Sequence, residues 1–271
     1  MIYNCHVHSE QSHDCSTSVN DMCDAAIQKG ITGIAITNHC DCEFSERDQV
    51  FTRILSSVED ANEAAHFYKN RLEVLNGVEL GDVLFNSSFA KKILTSFSFD
   101  IVLLSVHAVL GAQNEQPFSG IDFSTWSHRK LYDYLEAYFT QMEKCINYFD
   151  FDVLSHLTVP IRYINCKYRK NIDLHIFNEQ IKRILQTIIQ QDKALELNTQ
   201  SAQAQNAFFL PDEEILEQYL HLGGKKIVLG SDAHSAAQIN TGLDAGKKLL
   251  IDRGVFFAYY YKDRKPISYA L

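Results

Sequence analysis

The sequence has no apolar stretch long enough to cross a bilayer, and its start, MIYNCHVHSEQSHDC, lacks a positively charged segment followed by an apolar run. Neither a membrane span nor a secretory leader is therefore expected, and the expected compartment is the cytoplasm. Positive charge is also scarce. Lysine and arginine number 25 against 34 acids, a formal net charge of −9, which argues against a nucleic-acid partner because a long phosphate footprint needs a basic face. A small anionic ligand stays compatible with that balance if cations are supplied locally. No Pro/Gly/Ser-rich linker, internal repeat or low-complexity tract divides the chain, so residues 1–271 are expected to form one domain. The seven cysteines (Cys5, Cys15, Cys23, Cys40, Cys42, Cys145, Cys166) are odd in number and scattered. Reduced thiols are expected in a chain too large to need staples, and the Cys40-Asp41-Cys42 pair lacks the second pair that a soft-metal site wants.

What is present is a steady alternation. With 46% hydrophobic residues the chain can bury a full core. Short apolar, β-branched runs recur at Ile2–Cys5, Gly33–Thr37, Glu73–Val78, Ile101–Val106, Asp152–Ser155, Ala194–Asn198 and Lys226–Gly230, each bounded by polar or turn residues as buried strands are. Between them lie segments of helical spacing: Val19–Lys29 behind a Ser18 N-cap, Asp48–Asn70, Arg129–Tyr148, Asn171–Gln191, Pro211–Leu222 and Ile239–Arg253. Seven strand-helix units imply parallel strands with crossover helices, and they fit an α/β fold of the closed or nearly closed barrel kind. The polar stretch Gly111–His128 reads as a loop over the barrel mouth, and Val255–Tyr261 as a final strand against the barrel edge.

The histidines and two acids fall at the ends of those runs. His6 and His8 close the first, His39 the second, Glu79 the third, His107 the fourth, His156 the fifth, and Asp232 with His234 the last. A single histidine ending a strand is more often a hydrogen-bonded structural residue than a ligand. In a parallel barrel, however, all those ends open on one face, where barrel enzymes build their sites. The His6-Val7-His8 spacing puts both imidazoles on one side of an extended chain. Joined by Asp232-x-His234, by His13 downstream and by a glutamate able to bridge two ions, the set points to a metal centre. Imidazole with carboxylate and no thiolate suits Zn, Mn or Fe in an open, catalytic site. His66, His175 and His221 fall within expected helices and His128 opens one; these are expected to be structural or solvated.

These residues resemble the PHP superfamily (polymerase and histidinol phosphatase), and within it the PHP-type histidinol-phosphate phosphatases. The motifs are His6-Val7-His8 with His13, Thr37-Asn38-His39, Gly77-Val78-Glu79, Ser105-Val106-His107, Ser155-His156 and Gly230-Ser231-Asp232-Ala233-His234, running from the first strand to the last. The resemblance implies a single-domain, distorted (β/α)7 TIM-like barrel with about three divalent metal ions. One ion is expected on His6, His8, Glu79 and Asp232, a second on Glu79, His107 and His156, and a third on His13, His39 and His234. It also implies hydrolysis of a small-molecule phosphate monoester, histidinol phosphate foremost, as a step of histidine biosynthesis. Arg162, in the run Leu157-Thr158-Val159-Pro160-Ile161-Arg162, is expected to contact phosphate, and Asp232 or His234 to deliver the proton to the leaving group. One departure stands out: Gln200-Ser201-Ala202-Gln203-Ala204-Gln205 has no basic residue where a further phosphate contact is expected. Another phosphate ester (a nucleotide bisphosphate, phosphotyrosine or sugar phosphate) is the rival substrate. A barrel amidohydrolase is disfavoured because no lysine ends any strand, and oligomeric state is left open.

Overall fold

The computed structural model describes residues 1–44, 49–202 and 208–271. In chain order its elements are β1 (Tyr3–Val7), α1 (Val19–Gln28), β2 (Gly33–Ile36), β3 (His39–Asp41), α2 (Val50–Tyr68), β4 (Glu73–Gly81), α3 (Ser87–Ser96), β5 (Ile101–Ser105), α4 (His128–Tyr148) and β6 (Val153–Leu154). The single turn α5 (Val159–Ile161) runs into π-helical residues Arg162–Lys167, followed by α6 (Asn178–Gln190), β7 (Ala194–Asn198), α7 (Glu213–His221), β8 (Ile227–Gly230), α8 (Leu243–Asp252), β9 (Phe257–Lys262) and β10 (Lys265–Ala270). The main sheet is parallel in the order β1-β2-β4-β5-β6-β7-β8. Its two ends meet where Val7 bridges Ala233, with Asp232 N–H donating to the His6 carbonyl at 2.9 Å and His8 N–H to the Ala233 carbonyl at 2.9 Å. The expected barrel of seven strands is thus present, joined at β1 and β8 by a short bridge.

Alternation along each strand sorts the core into two parts. Outward residues such as Ile34, Ile36, Val102, Leu104, Leu195 and Leu197 pack beneath the helices. Inward residues Tyr3, Cys5, Ala35, Leu75, Ile101, Leu103, Val153, Ala194 and Val228 fill the lower barrel. The barrel floor is closed by the β9-β10 hairpin, whose Tyr260 stacks on Tyr3 at 3.9 Å between ring centroids. The C-terminal strand expected at the barrel edge is therefore half of a hairpin that plugs the bottom.

Three other differences have local causes. The second run is broken in two: β2 pairs with Glu73–Asn76 of β4, the chain turns at Thr37 to donate to the Val7 carbonyl at 2.8 Å, and β3 resumes beside Glu79–Gly81. His39 is therefore the first residue of β3. The helix α3 buries only Ala90 and Ile93, too thin an apolar stripe to stand out in the sequence. The expected helix Asn171–Gln191 begins only at Asn178, after a 3-10 turn at Leu174–Phe177; the expected start of α2 at Asp48 lies outside the described residues. Ser18 does cap α1, accepting from Asp21 N–H at 3.1 Å. The polar loop lies over the mouth as expected, anchored by buried Phe118, Phe123 and Trp126 and tied down by the Tyr168 hydroxyl, which donates to the Ile121 carbonyl at 3.3 Å.

Candidate metal centre

On the upper half of the same strands the inward positions change character. A register shift between Asn4 and Val7 lets Cys5 join the lower core while His6 and His8 both turn into the mouth. Glu79 stands two residues above the inward Gly77 on β4, and Asp232 follows β8 in the left-handed region at φ 51°, a conformation aspartate tolerates better than most residues. His6, His8, Glu79, His156 and Asp232 are all buried, and a charge or lone pair held there needs a partner.

The side chains converge on Glu79. Its Oε2 lies 3.3 Å from His6 Nε2, 3.5 Å from His8 Nε2 and 3.0 Å from His39 Nδ1, and its Oε1 lies 2.8 Å from His156 Nε2 and 3.1 Å from His107 Nε2. Asp232 Oδ1 stands 3.4 Å from His8 Nε2 and 3.8 Å from His6 Nε2. Two ligand atoms bound at about 2.1 Å to one tetrahedral ion lie about 3.4 Å apart, so these separations match donors facing a common centre. Their hydrogen bonding agrees. Among the described residues, His6 Nε2, His8 Nε2, His39 Nδ1, His234 Nε2 and Glu79 Oε2 are buried without a hydrogen-bond partner, an arrangement suited to divalent cations. Burial, together with neighbouring His234 and His39, holds the His8 imidazole well below its ordinary pKa, keeping its lone pair free for a metal. Burial works to raise the Glu79 carboxyl, but His6, His107 and His39 hold it well below the carboxylate range, so it is the charged bridge among them.

The opposite ring nitrogens are held in turn. His6 Nδ1 meets Glu196 Oε1 at 2.7 Å, His107 Nδ1 meets Asp41 Oδ1 at 2.9 Å, and His8 Nδ1 meets Ser12 Oγ at 2.9 Å. Ser12 then donates to Asn38 at 2.9 Å. Such outer contacts fix tautomer and ring orientation. Two glycines make room for them: a Cβ at Gly81 would collide with the Asp41 carboxylate, and one at Gly230 with that of Glu196. Glu196, Asp41 and Ser12 belong to the site but carry no strand-end signature in the sequence. The signal for Glu196 was a charged residue inside the otherwise apolar run of β7; for Asp41 it was masked by the flanking cysteines. Cys40 and Cys42 are buried free thiols, and Cys42 Sγ lies 3.8 Å from the Cys40 carbonyl, away from the converging donors.

A third group lies beside these. His39, His234 and His8 nitrogens cluster, and the residue reaching them is Asp14, whose Oδ2 is 3.2 Å from His234 Nε2 and 3.6 Å from His39 Nε2. His13 and Asp14 are both exposed and both line the cleft; the His13 ring lies 5.2 Å from that of His39, and neither residue joins a converging group of three among the described residues. Arg162 is brought to the mouth, donating through Nη1 to Asp232 Oδ2 at 3.2 Å and through Nη2 to Asn198 Oδ1 at 3.0 Å. It heads the π-helical turn, a geometry frequent at functional sites. His66, His175, His221 and His128 lie away from the centre; His128 Nε2 donates to the Lys170 carbonyl at 3.1 Å. Gln200 donates to the Asp232 carbonyl at 2.7 Å, while residues 203–205 of the segment without a basic residue lie outside the described residues.

The donors open into a cleft of about 340 Å³, lined also by Arg162, Glu43, Phe44, Pro117, Phe118 and Gln238. No described helix is long and apolar enough to cross a membrane. The chain is 28% identical over 245 residues to a protein of Thermotoga maritima described as a probable histidinol-phosphatase, covering 88% of this chain and 87% of that one. It is 27% identical over 235 residues to the histidinol-phosphatase of Lactococcus lactis, with 85% and 83% covered. The crystal structure of a histidinol phosphate phosphatase from Lactococcus lactis, complexed with Zn, L-histidinol and phosphate, superposes with a TM-score of 0.80 at 22% identity, covering 98% of each chain. That likeness extends over the whole barrel. The PHP domain model matches residues 4–200, most of the chain and all but the last of its site motifs, and the protein belongs to the PHP domain family.

Proposed function

We propose that the protein is a metal-dependent phosphoric monoester hydrolase that converts histidinol phosphate to histidinol and phosphate in histidine biosynthesis. The observation that carries the chemistry is the convergence of imidazole and carboxylate atoms on Glu79, with five donors left without hydrogen-bond partners. The substrate reading is supported by the names of the curated relatives. Three divalent ions are assigned: one to His6, His8, Glu79 and Asp232, one to Glu79, His107 and His156, and one to His39, His234 and Asp14, with Asp14 in the position first expected of His13. When bound, such ions clamp phosphoryl oxygens and activate water.

The chain's own residues perform the remaining tasks. Arg162, half-buried at the cleft, is placed to neutralise the equatorial phosphoryl oxygens, a demand that phosphoryl transfer makes of its site. Its pairing with Asp232 and Asn198 holds the guanidinium in position before substrate arrives. Asp232, or His234 if substrate binding frees it from its ion, would pass the proton given up by the attacking water to the departing alkoxide, since both face the cleft. Glu196 and Asp41 keep His6 and His107 aligned.

The test is phosphate release from histidinol phosphate with Zn, Mn or Fe restored, beside nucleotide, sugar and phosphotyrosine esters. A preference of about a hundredfold or more in kcat/KM, worth about 2.7 kcal/mol, is expected for histidinol phosphate. Slow and even turnover across the panel would sink the substrate reading, and absence of turnover with metals bound would sink the chemistry. Metal content separates the third-site assignments: Asp14→Asn is expected to lose metal where His13→Asn keeps it.

A further inference from the structure

The cleft carries one group that neither the metal centre nor the phosphate contact uses. Glu43, on the 3-10 turn Cys42–Phe44 that follows β3, lines the cleft, and among the described residues both of its carboxylate oxygens are shut from solvent without a hydrogen-bond partner. Beneath it Asp82 is fully buried, with Oδ1 accepting from His107 and Ala108 N–H at 2.9 and 3.1 Å and Oδ2 left without a partner. Burial, with Asp82 and Asp41 nearby, pushes the Glu43 carboxyl up to about 9. Asp82 stands beside it, and two carboxyls so close are costly to keep unless a proton or a cation joins them; this pair borders the substrate cleft.

The surroundings indicate what it receives. Glu43 sits on the side of the mouth formed by β3, β4 and β5, whereas Arg162 is held on the side of β7 and β8 through Asn198 and Asp232. Phe44, Pro117 and Phe118 supply apolar lining. The cleft thus has a guanidinium on one side, a carboxyl on the other, and apolar side chains in its lining. We propose that Glu43 is the specificity residue of this enzyme, accepting a protonated nitrogen of the leaving alcohol so that cationic, amino-alcohol phosphates are favoured over neutral ones. This rests on the phosphatase reading above and deepens it. An arriving ammonium group would meet Glu43 as its carboxylate, any carboxyl proton passing to solvent, and the resulting charge-assisted hydrogen bonds form away from bulk water, where they are strong.

The experiment compares kcat/KM for amine-tailed esters of two lengths, ethanolamine phosphate and 5-aminopentyl phosphate, with that for alkyl phosphates of matching length, and includes histidinol phosphate. The enzymes are wild type, Glu43→Gln and Glu43→Asp, each with metals restored and metal content checked. Glu43→Gln is expected to lower the amine-to-alkyl ratio about tenfold to a hundredfold for at least one length, mainly through KM, with Glu43→Asp retaining more of the preference. Parallel loss toward both ester classes in Glu43→Gln, or an unchanged ratio, would overturn the assignment, because a residue that merely shapes the cleft affects them alike. A wild type that prefers amine-tailed esters but ignores histidinol phosphate would remove the histidinol reading and leave the Glu43 inference standing. Rapid turnover of histidinol phosphate with no ratio change in Glu43→Gln would do the opposite.

Discussion

The two halves of the barrel interior are built on the same strands and have opposite character. At the bottom, Leu75, Ile101, Leu103, Val153, Ala194 and Val228 close on one another and on the Tyr3–Tyr260 stack. Two residues or so higher on those strands, the inward positions are Glu79, Ser105, Ser155 and Glu196, joined by His6, His8 and Asp232. The lower half satisfies itself. The upper half is as deeply buried, yet several of its polar atoms face one another without partners. Burial is a stabilising device in one layer and, a few ångströms away, a means of concentrating unsatisfied ligand atoms where only metal and substrate can satisfy them.

The sharpest way to break that comparison is Glu79→Gln, which removes the carboxylate on which five imidazoles converge. A loss of about 10²–10³-fold or more in kcat/KM is expected, with the circular dichroism spectrum intact because the lower core is untouched. A chelator should act likewise, abolishing phosphate release while secondary structure persists. If chelation instead unfolds the barrel, the two halves are not energetically separate. Leu103→Ala tests the other side: about 2–5 kcal/mol of stability lost in denaturant unfolding, with kcat/KM retained below the transition. A smaller effect is expected from Glu196→Gln, which sits at the boundary and loosens His6. About a 10–100-fold drop in metal affinity or activity, with little change in melting temperature, would assign Glu196 to the upper layer. Least of all is expected from His175, held between Asp173 and Glu214 on the surface. Asp173 first, then Glu214, raises its pKa above the ordinary 6.5, so its ion pairs stabilise below that ordinary value and are lost as pH rises through the raised one. His175→Gln should alter stability only at low pH and too little to resolve in high salt.

The functional layer was more legible than the layer beneath it. Histidines at the ends of apolar runs are conspicuous because a strand end is otherwise free to be any polar residue, so His6, His8, His107, His156, Asp232 and His234 could be named from their positions. Arg162 could be named from the residues around it, but not its hold on Asp232 and Asn198, which come from different strands. Asp14 and His13 are neighbours with equally competent side chains. Which one reaches His39 and His234 depends on how the loop after β1 turns, and loop backbone leaves no periodic trace. Glu43, Asp82 and Asp41 look like ordinary polar residues after strands; only their depth and their unpartnered oxygens set them apart.

The alternation of strands with helices, the parallel barrel and the gathering of imidazole and carboxylate side chains at one mouth were determined by the sequence alone, because alternation and strand-end placement are local patterns that topology carries to one face. The tertiary structure alone decided the breaking of the second strand at Thr37, the hairpin that plugs the floor, the approach of the Asp14 carboxylate to His39 and His234, and the enclosure of Glu43. Each of these depends on contacts between residues far apart in the chain, and the free energy of such contacts is written in no single segment.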